Sequence, residues 1–305
     1  MTKRVQEILS WYEAQPKAVR TNLQRILEHG RLGGTGRLVI LPVDQGVEHG
    51  PDRSFAANPA GYDPLYHFKL AVEAGCSAHA APLGALEMGA HLYADKIPLI
   101  LKANGSEGLS KTSDAFSTLF ATVDDAVRLG CAAIGYTIYP GSALSPQMYQ
   151  ILRDLIAEAR SKGLVSVVWA YPRGSGLPSK EAETAIDIVS YAAHLSCQLG
   201  AHIVKVKLPS SHVALEVNQK VYEKYQIPIS TLTERVKHVV QCAFNGQRIV
   251  IFSGVEAKDE QAVLEEIKAV RDGGGFGSII GRNSFQRPWD DAVGFLGKVM
   301  AIYEK

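Results

Sequence analysis

Between residues 37 and 283 the chain repeats one unit: a short apolar run rich in β-branched residues, followed in most repeats by a longer stretch with helical spacing. Eight such runs can be read: 37–44, 77–84, 97–104, 131–141, 164–174, 201–209, 248–254 and 276–283. Helical stretches accompany them at 64–75, 146–162, 179–199, 231–244, 259–272 and 290–303. Runs apolar on both faces belong to parallel strands covered by helices, and eight strand-then-helix units predict an α/β fold closed into a (β/α)₈ (TIM) barrel. An open doubly wound sheet is the alternative, but it usually uses fewer strands. No G-x-G-x-x-G follows a run, and the cluster Gly273-Gly274-Gly275 precedes one, so a dinucleotide fold loses support.

Ahead of the repeats, Val5, Ile8, Leu9 and Tyr12 recur at helical spacing, as do Leu23, Ile26 and Leu27 after Gln15-Pro16. Residues 1–32 therefore read as an N-terminal helical appendage that packs on the larger body. No linker rich in Pro, Ser or Gly interrupts the chain, so residues 1–305 are expected to form one domain.

Composition narrows the function. Lys plus Arg is 32 against 31 for Asp plus Glu, a net charge of +1, so no overall positive field draws in nucleic acid. Cys76, Cys131, Cys197 and Cys242 are far apart, form no C-x-x-C and sit in apolar neighbourhoods, as buried free thiols of a cytoplasmic protein do. No run of 18 apolar residues and no secretory apolar stretch is present, so no membrane association is expected. The nine histidines show no H-x-x-H, H-x-x-x-H or H-E-x-x-H spacing, and a His-rich metal centre is not expected.

In such barrels the chemistry sits at the carboxyl ends of the strands. There the runs close on Asp44, on Lys102 and Asn104, on Tyr136 and Tyr139, on Trp169, Tyr171 and Arg173, on Lys205 and Lys207, on Ser253 and on Arg282. Alternation along 201–209 sends Lys205 and Lys207 to one side and Val204 and Val206 to the other. If the valines face the helices, both ammonium groups point into the barrel, where desolvation and mutual repulsion lower at least one pKa. A neutral lysine amine forms Schiff bases with carbonyl compounds, and the protonated imine is an electron sink for cleaving the adjacent carbon–carbon bond. The competing reading keeps both lysines as point charges for a rim carboxylate or a phosphate.

Asp44 reads either as a strand-end cap or as a carboxylate that handles protons and orients the lysine. Tyr171, on the inward face with Trp169, offers a phenol whose proton nearby lysines would make easier to remove. Ser253-Gly254 and Gly281-Arg282-Asn283 close the last two runs, where barrels of this class hold phosphate, unless these are ordinary turn glycines. Glu48, His49 and Arg173 are candidates for a second anion at the opposite rim.

Several strings, in order, resemble the archaeal-type class I fructose-bisphosphate aldolases, a family also found in bacteria: LPVDQGVEHGP (41–51), LILKANG (99–105), GYTIYPGS (135–142), VVWAYPRG (167–174), GAHIVKVKLP (200–209), FSG (252–254) and GRN (281–283). The likeness spans about residues 37 to 290. It implies a (β/α)₈ barrel, a cofactor-free and metal-independent Schiff-base lyase of glycolysis and gluconeogenesis, a phosphorylated sugar substrate, and a cytoplasmic homo-oligomer built from rings. It places the imine on Lys205, the D-x-G-x-E-H-G aspartate on Asp44, the proton-transfer phenol on Tyr171 beside Trp169, and phosphate contacts at Ser253-Gly254 and Gly281-Arg282. With Lys102, Lys207, His49 and Arg173 added as substrate-binding candidates, this is the expected site. Two departures touch substrate detail: Val255 stands where relatives often have a second glycine, and Leu208-Pro209-Ser210 replaces a frequent Tyr-Thr-Gly. Two other readings stay open, a Schiff-base aldolase of transaldolase type acting on another ketose phosphate and a non-catalytic sugar-phosphate-binding barrel.

Overall fold

The computed structural model describes residues 1–109, 114–253 and 259–305. Every one of the eight runs contains a parallel strand: β1 (Leu38–Pro42), β2 (Ala78–Pro82), β3 (Leu99–Lys102), β4 (Ala133–Ile138), β5 (Val165–Ala170), β6 (Ile203–Lys207), β7 (Ile249–Ser253) and β8 (Gly277–Ile279). They close in chain order, with β8 hydrogen-bonded back to β1, into the expected (β/α)₈ barrel. Most strands stop a few residues before the apolar runs do. The remainder, such as Tyr139 and Tyr171, turns over the carboxyl rim and builds the mouth.

The helices that follow the strands are α3 (Pro64–Glu73), α4 (Leu83–Tyr93), α5 (Val123–Arg128), α6 (Ser145–Ser161), α7 (Ile186–Gln198), α8 (Leu232–Cys242), α9 (Glu260–Asp272) and α10 (Trp289–Tyr303), after α1 (Lys3–Ser10) and α2 (Lys17–Leu27) at the amino terminus. Helix α8 begins where Thr231 and Glu234 form a reciprocal capping box, Thr231 N donating to Glu234 Oε2 at 2.8 Å and Glu234 N to Thr231 Oγ1 at 3.2 Å. An extra helix, Glu216–Lys224, is inserted between β6 and α8 with no buried residue.

Alternation along the strands creates two apolar layers. Val204 and Val206 belong to the outer layer between strands and helices, and Ile203 belongs to the inner one. The inner layer shows what surface residues 1–32 pack on. Val5, Ile8, Leu23 and Ile26 join Leu38, Ile40, Ile100, Val167 and Ile251 in one continuous cluster, so α1 and α2 plug the barrel. The plug sits at the amino ends of the strands. Tyr12 Oη donates to His202 O at 2.7 Å, just before β6, and accepts from Ile249 N at 3.2 Å, where β7 starts. Asn22 Nδ2 donates to Gly163 O at 2.9 Å below β5. Helical spacing had shown that these segments own a buried face, and the open floor of a barrel supplies the surface that face needs.

Cys76, Cys131 and Cys197 are buried, Cys242 is partly so, and all four thiols are free. Among the described residues, no helix is long and apolar enough to cross a membrane, and no three His, Cys, Asp or Glu side chains converge as metal ligands would.

Candidate active site

The carboxyl ends of β1 and β5 to β8 surround a cavity of about 620 Å³. From β1 and the turn after it come Asp44, Glu48 and His49; from the end of β5 come Tyr171 and Arg173. Strand β6 supplies Lys205 and Lys207, and β7 and β8 supply Ser253, Gly281 and Arg282. Gly254, expected beside Ser253, and Val255 lie outside the described residues. Trp169 and Lys102, expected at the mouth, do not line the cavity but are buried beneath it, each 1% exposed.

Lys205, 5% exposed, occupies the middle of β6, with Trp169 of β5 as its register partner. Its Nζ lies 5.4 Å from the Trp169 ring centroid and 5.2 Å from that of Tyr171. Burial pulls its pKa down to about 8, against the opposing pull of the Asp44 and Glu48 carboxylates. About one such amine in ten is neutral at pH 7, compared with about one in three thousand at the ordinary value. Trp169 fits because β4 has a glycine where the ring lies against it. A Cβ on Gly135 would stand 2.3 Å from Trp169 Cζ3.

Lys102 also approaches this indole, its Nζ 5.5 Å from the ring centroid. It donates to the Asn104 carbonyl and, at 3.0 Å, to Asn104 Oδ1. Asn104 is itself fixed, accepting from Thr137 N at 2.7 Å and donating to Thr137 O at 2.9 Å. Lys102 is thus a buried neighbour of the indole and lies outside the residues that line the cavity, where it had been expected. Burial lowers its pKa, Asp44 and Glu48 oppose that, and the Lys205 charge lowers it further. The like-charge contact beside Lys205 is therefore Lys102. Lys207 instead forms an ion pair, its Nζ 3.0 Å from Glu183 Oε2.

Asp44 occupies the N-cap position of the helical turn Gln45–Glu48, yet its side chain makes no capping bond, which removes the strand-end-cap reading. Glu48, one turn later and on the same face, is a second carboxyl of the cavity. Burial and then the Asp44 charge raise its pKa, while Lys102, Arg173 and Lys205 lower it. Its grouping with His49 and Arg173 as an anion holder misread a carboxylate. The spacing Asp44-x-x-x-Glu48 carried the correct signal, because residues four apart share a helix face.

Tyr171 also departs from expectation. Burial raises the pKa of its phenol, a hydrogen bond with Ser253 lowers it, Asp44 and Glu48 raise it, and Arg173 lowers it. The phenol is held protonated, because burial and the carboxylates outweigh the nearby cations. Ser253 Oγ donates to Val206 O at 3.3 Å, and the Arg173 guanidinium lies 5.2 Å from the Tyr139 ring centroid. Gly281 leaves room for β1: a Cβ there would fall 2.6 Å from Gln45 Nε2 and 2.8 Å from Pro42 O, so it is more than an ordinary turn residue. Arg282 opens the helical turn Arg282–Phe285. Arg53, Thr184 and Gln286 also line the cavity, and nothing in the strand-end pattern pointed to them, since all three come from loops and short turns.

Comparison with known proteins places this geometry in a lineage. The chain is 38% identical over 295 residues to a probable fructose-bisphosphate aldolase class 1 of Chlamydia trachomatis, covering 93% of this chain and 84% of that protein. It is 34% identical over 252 residues to the fructose-bisphosphate aldolase class 1 of Thermoproteus tenax, covering 83% and 84%. The solved structure of an archaeal fructose-1,6-bisphosphate aldolase, with its catalytic Lys covalently bound to the carbinolamine intermediate of the substrate, superimposes with a TM-score of 0.76 at 30% identity, over 93% of this chain and all of that one. The profile of the DeoC/LacD family aldolases matches residues 38–287, and the chain belongs to that family.

Proposed function

We propose that this chain is a class I, Schiff-base fructose-bisphosphate aldolase that reversibly cleaves the sugar bisphosphate into dihydroxyacetone phosphate and glyceraldehyde 3-phosphate. One observation carries the reading: a buried lysine with a pKa near 8 at a cavity that Asp44, Glu48 and Tyr171 also line. The names of the relatives, and the covalently bound lysine in one of the solved structures, support it.

In this reading the neutral amine of Lys205 adds to the ketone carbon, and the carbonyl oxygen leaves as water to give the iminium. Asp44 carries protons during that exchange. The iminium then accepts the electron pair of the breaking carbon–carbon bond. In the synthetic direction the protonated Tyr171 donates to the oxygen formed as the aldehyde is attacked, and cleavage runs the same transfer in reverse. The positive charge on the Lys205 nitrogen, 5.2 Å from the ring centroid, makes the phenolate easier to form once the iminium is in place. Ser253, Gly281 and Arg282 on one side, and Arg173, His49 and Lys207 on the other, serve as anion contacts. The family resemblance adds a cytoplasmic homo-oligomer working in glycolysis and gluconeogenesis, which sedimentation would test for assembly. Borohydride reduction in the presence of dihydroxyacetone phosphate, followed by peptide mass mapping, tests the chemistry: an adduct on Lys205 is expected, and its absence with turnover intact would refute the reading. Cleavage assays across several ketose phosphates should show a strong preference for the bisphosphate.

A further inference from the structure

Strand β6 delivers two lysines to the same cavity, Lys205 buried and Lys207, two residues on, half-buried, and position alone does not select between them. Their Nζ atoms lie 5.2 Å (Lys205) and 5.9 Å (Lys207) from the centroid of one ring, Tyr171. Burial moves both toward the neutral amine. Besides depth, a carboxylate distinguishes them. Glu183, 8% exposed, places Oε2 3.0 Å from Lys207 Nζ, while Lys180 holds Oε1. Among the described residues Lys205 has no carboxylate at ion-pair distance.

Glu183 is not free to follow Lys207 into the cavity. It lies on a single 3₁₀ turn, Glu181–Thr184, in the loop from β5 to α7. That loop is sewn to the one leaving β6: Ser210 N and Oγ donate to Thr184 O at 2.7 and 3.1 Å, and Ile186 N donates to His212 O at 2.9 Å. The carboxylate therefore stands at a fixed point on the wall, and the ammonium of Lys207 is drawn to it.

We propose that Glu183 is a positioning residue that decides which lysine reacts, pinning Lys207 as a charged ammonium at the wall so that Lys205 alone forms the imine. The inference rests on the imine chemistry proposed above. The groups around Lys207 are Glu183, Lys180, Arg173 and Tyr171; those around Lys205 are Asp44, Glu48, Lys102, Trp169 and Tyr171. Without the Glu183 charge, Arg173 and Lys180 act on Lys207 unopposed and add to the effect of burial. Its neutral amine then adds to the substrate ketone, the two amine protons pass by way of solvent to the carbonyl oxygen, and that oxygen leaves as water, giving a second imine at the wrong place.

The test is borohydride trapping with dihydroxyacetone phosphate between pH 6 and 9, with peptide mapping of wild type, E183Q and E183Q/K207R. Wild type should carry its adduct on Lys205. In E183Q the share on Lys207 should rise at least about tenfold, the change expected when an opposite charge at this distance is removed. E183Q/K207R should lose the second adduct, because a guanidinium forms no imine. E183D, which keeps the charge one methylene short, should give an intermediate share, and it keeps the test open if E183Q does not fold. Labelling of Lys205 alone in the folded variants at every pH, or substantial Lys207 labelling already in wild type, would overturn the inference. A wild-type protein with no adduct on either lysine would instead refute the underlying imine reading. A Glu183 that merely supports the loop would lower activity without moving the label.

Discussion

The two ends of the barrel are built from the same eight strands and do opposite work. At the amino end the interior is mainly apolar and is sealed by α1 and α2, with Tyr12 tying the seal to the starts of β6 and β7. At the carboxyl end the inward face of β6 changes from Ile203 to Lys205, the next residue on that face, and charged groups are held there at the expense of stability. The floor stores folding free energy that the mouth spends on an amine kept partly uncharged. Changes at the mouth should therefore remove activity without loss of stability, and changes at the floor should do the reverse.

The largest expected effect is at the mouth. Lys205→Met should abolish trapping and reduce cleavage at least about 10⁴-fold, since the covalent route is lost. It should also make the protein more stable. The folded-state pKa of Lys205 is depressed to about 8, so below pH 8 the wild type holds a charged amine that burial disfavours. That penalty fades as pH rises toward the ordinary lysine value. Denaturant melts of the variant should thus show a gain of order a few kcal/mol at pH 7 that shrinks above pH 8. A variant that is inactive and less stable at pH 7 would break the comparison. Tyr171→Phe should follow, with kcat down about 10²–10⁴-fold and the Lys205 adduct still formed, as loss of one acid–base group predicts.

At the floor, Leu23→Ala should cost about 2–5 kcal/mol in urea melts while leaving kcat near wild type, because the lost contacts lie at the opposite end of the strands. Acid should act on the same balance. His67 and His202 have pKa values lowered to about 4 and His79 to about 3, each by burial. The unfolded chain then binds protons that the folded chain refuses between about pH 6.5 and 4, so stability should fall as pH drops through that window. Replacing His202, just beneath β6, by Asn should flatten the fall measured by thermal melts. The smallest effect belongs to Tyr12→Phe, at about 1–3 kcal/mol for the two buried backbone groups left unpaired.

The sequence made the frame of this molecule legible and parts of its site illegible, for reasons that can be traced to particular residues. All eight strands were readable because parallel strands buried on both faces must be continuously apolar, and the polar residues that end them marked Asp44, Tyr171, Lys205 and Arg282 as neighbours. Period-2 alternation gives the side on which a residue lies but not its depth, so Lys102 was placed in the mouth when it is buried beside Trp169, outside the cavity lining. The sign of the Tyr171 shift depended on burial and on carboxylates from β1, a strand far away in sequence. Glu183 gave no signal, because its partner Lys207 is 24 residues along the chain. The amphipathic spacing of residues 5–27 announced a buried face without naming the surface it meets.

The most direct test of the central claim is the pH dependence of the initial rate at which dihydroxyacetone phosphate is trapped on Lys205 by cyanoborohydride, normalised to a model amine under the same conditions. A buried amine of lowered pKa predicts a rate that levels off above about pH 8. A rate still climbing toward the ordinary lysine pKa, or trapping on residues other than Lys205, would contradict it.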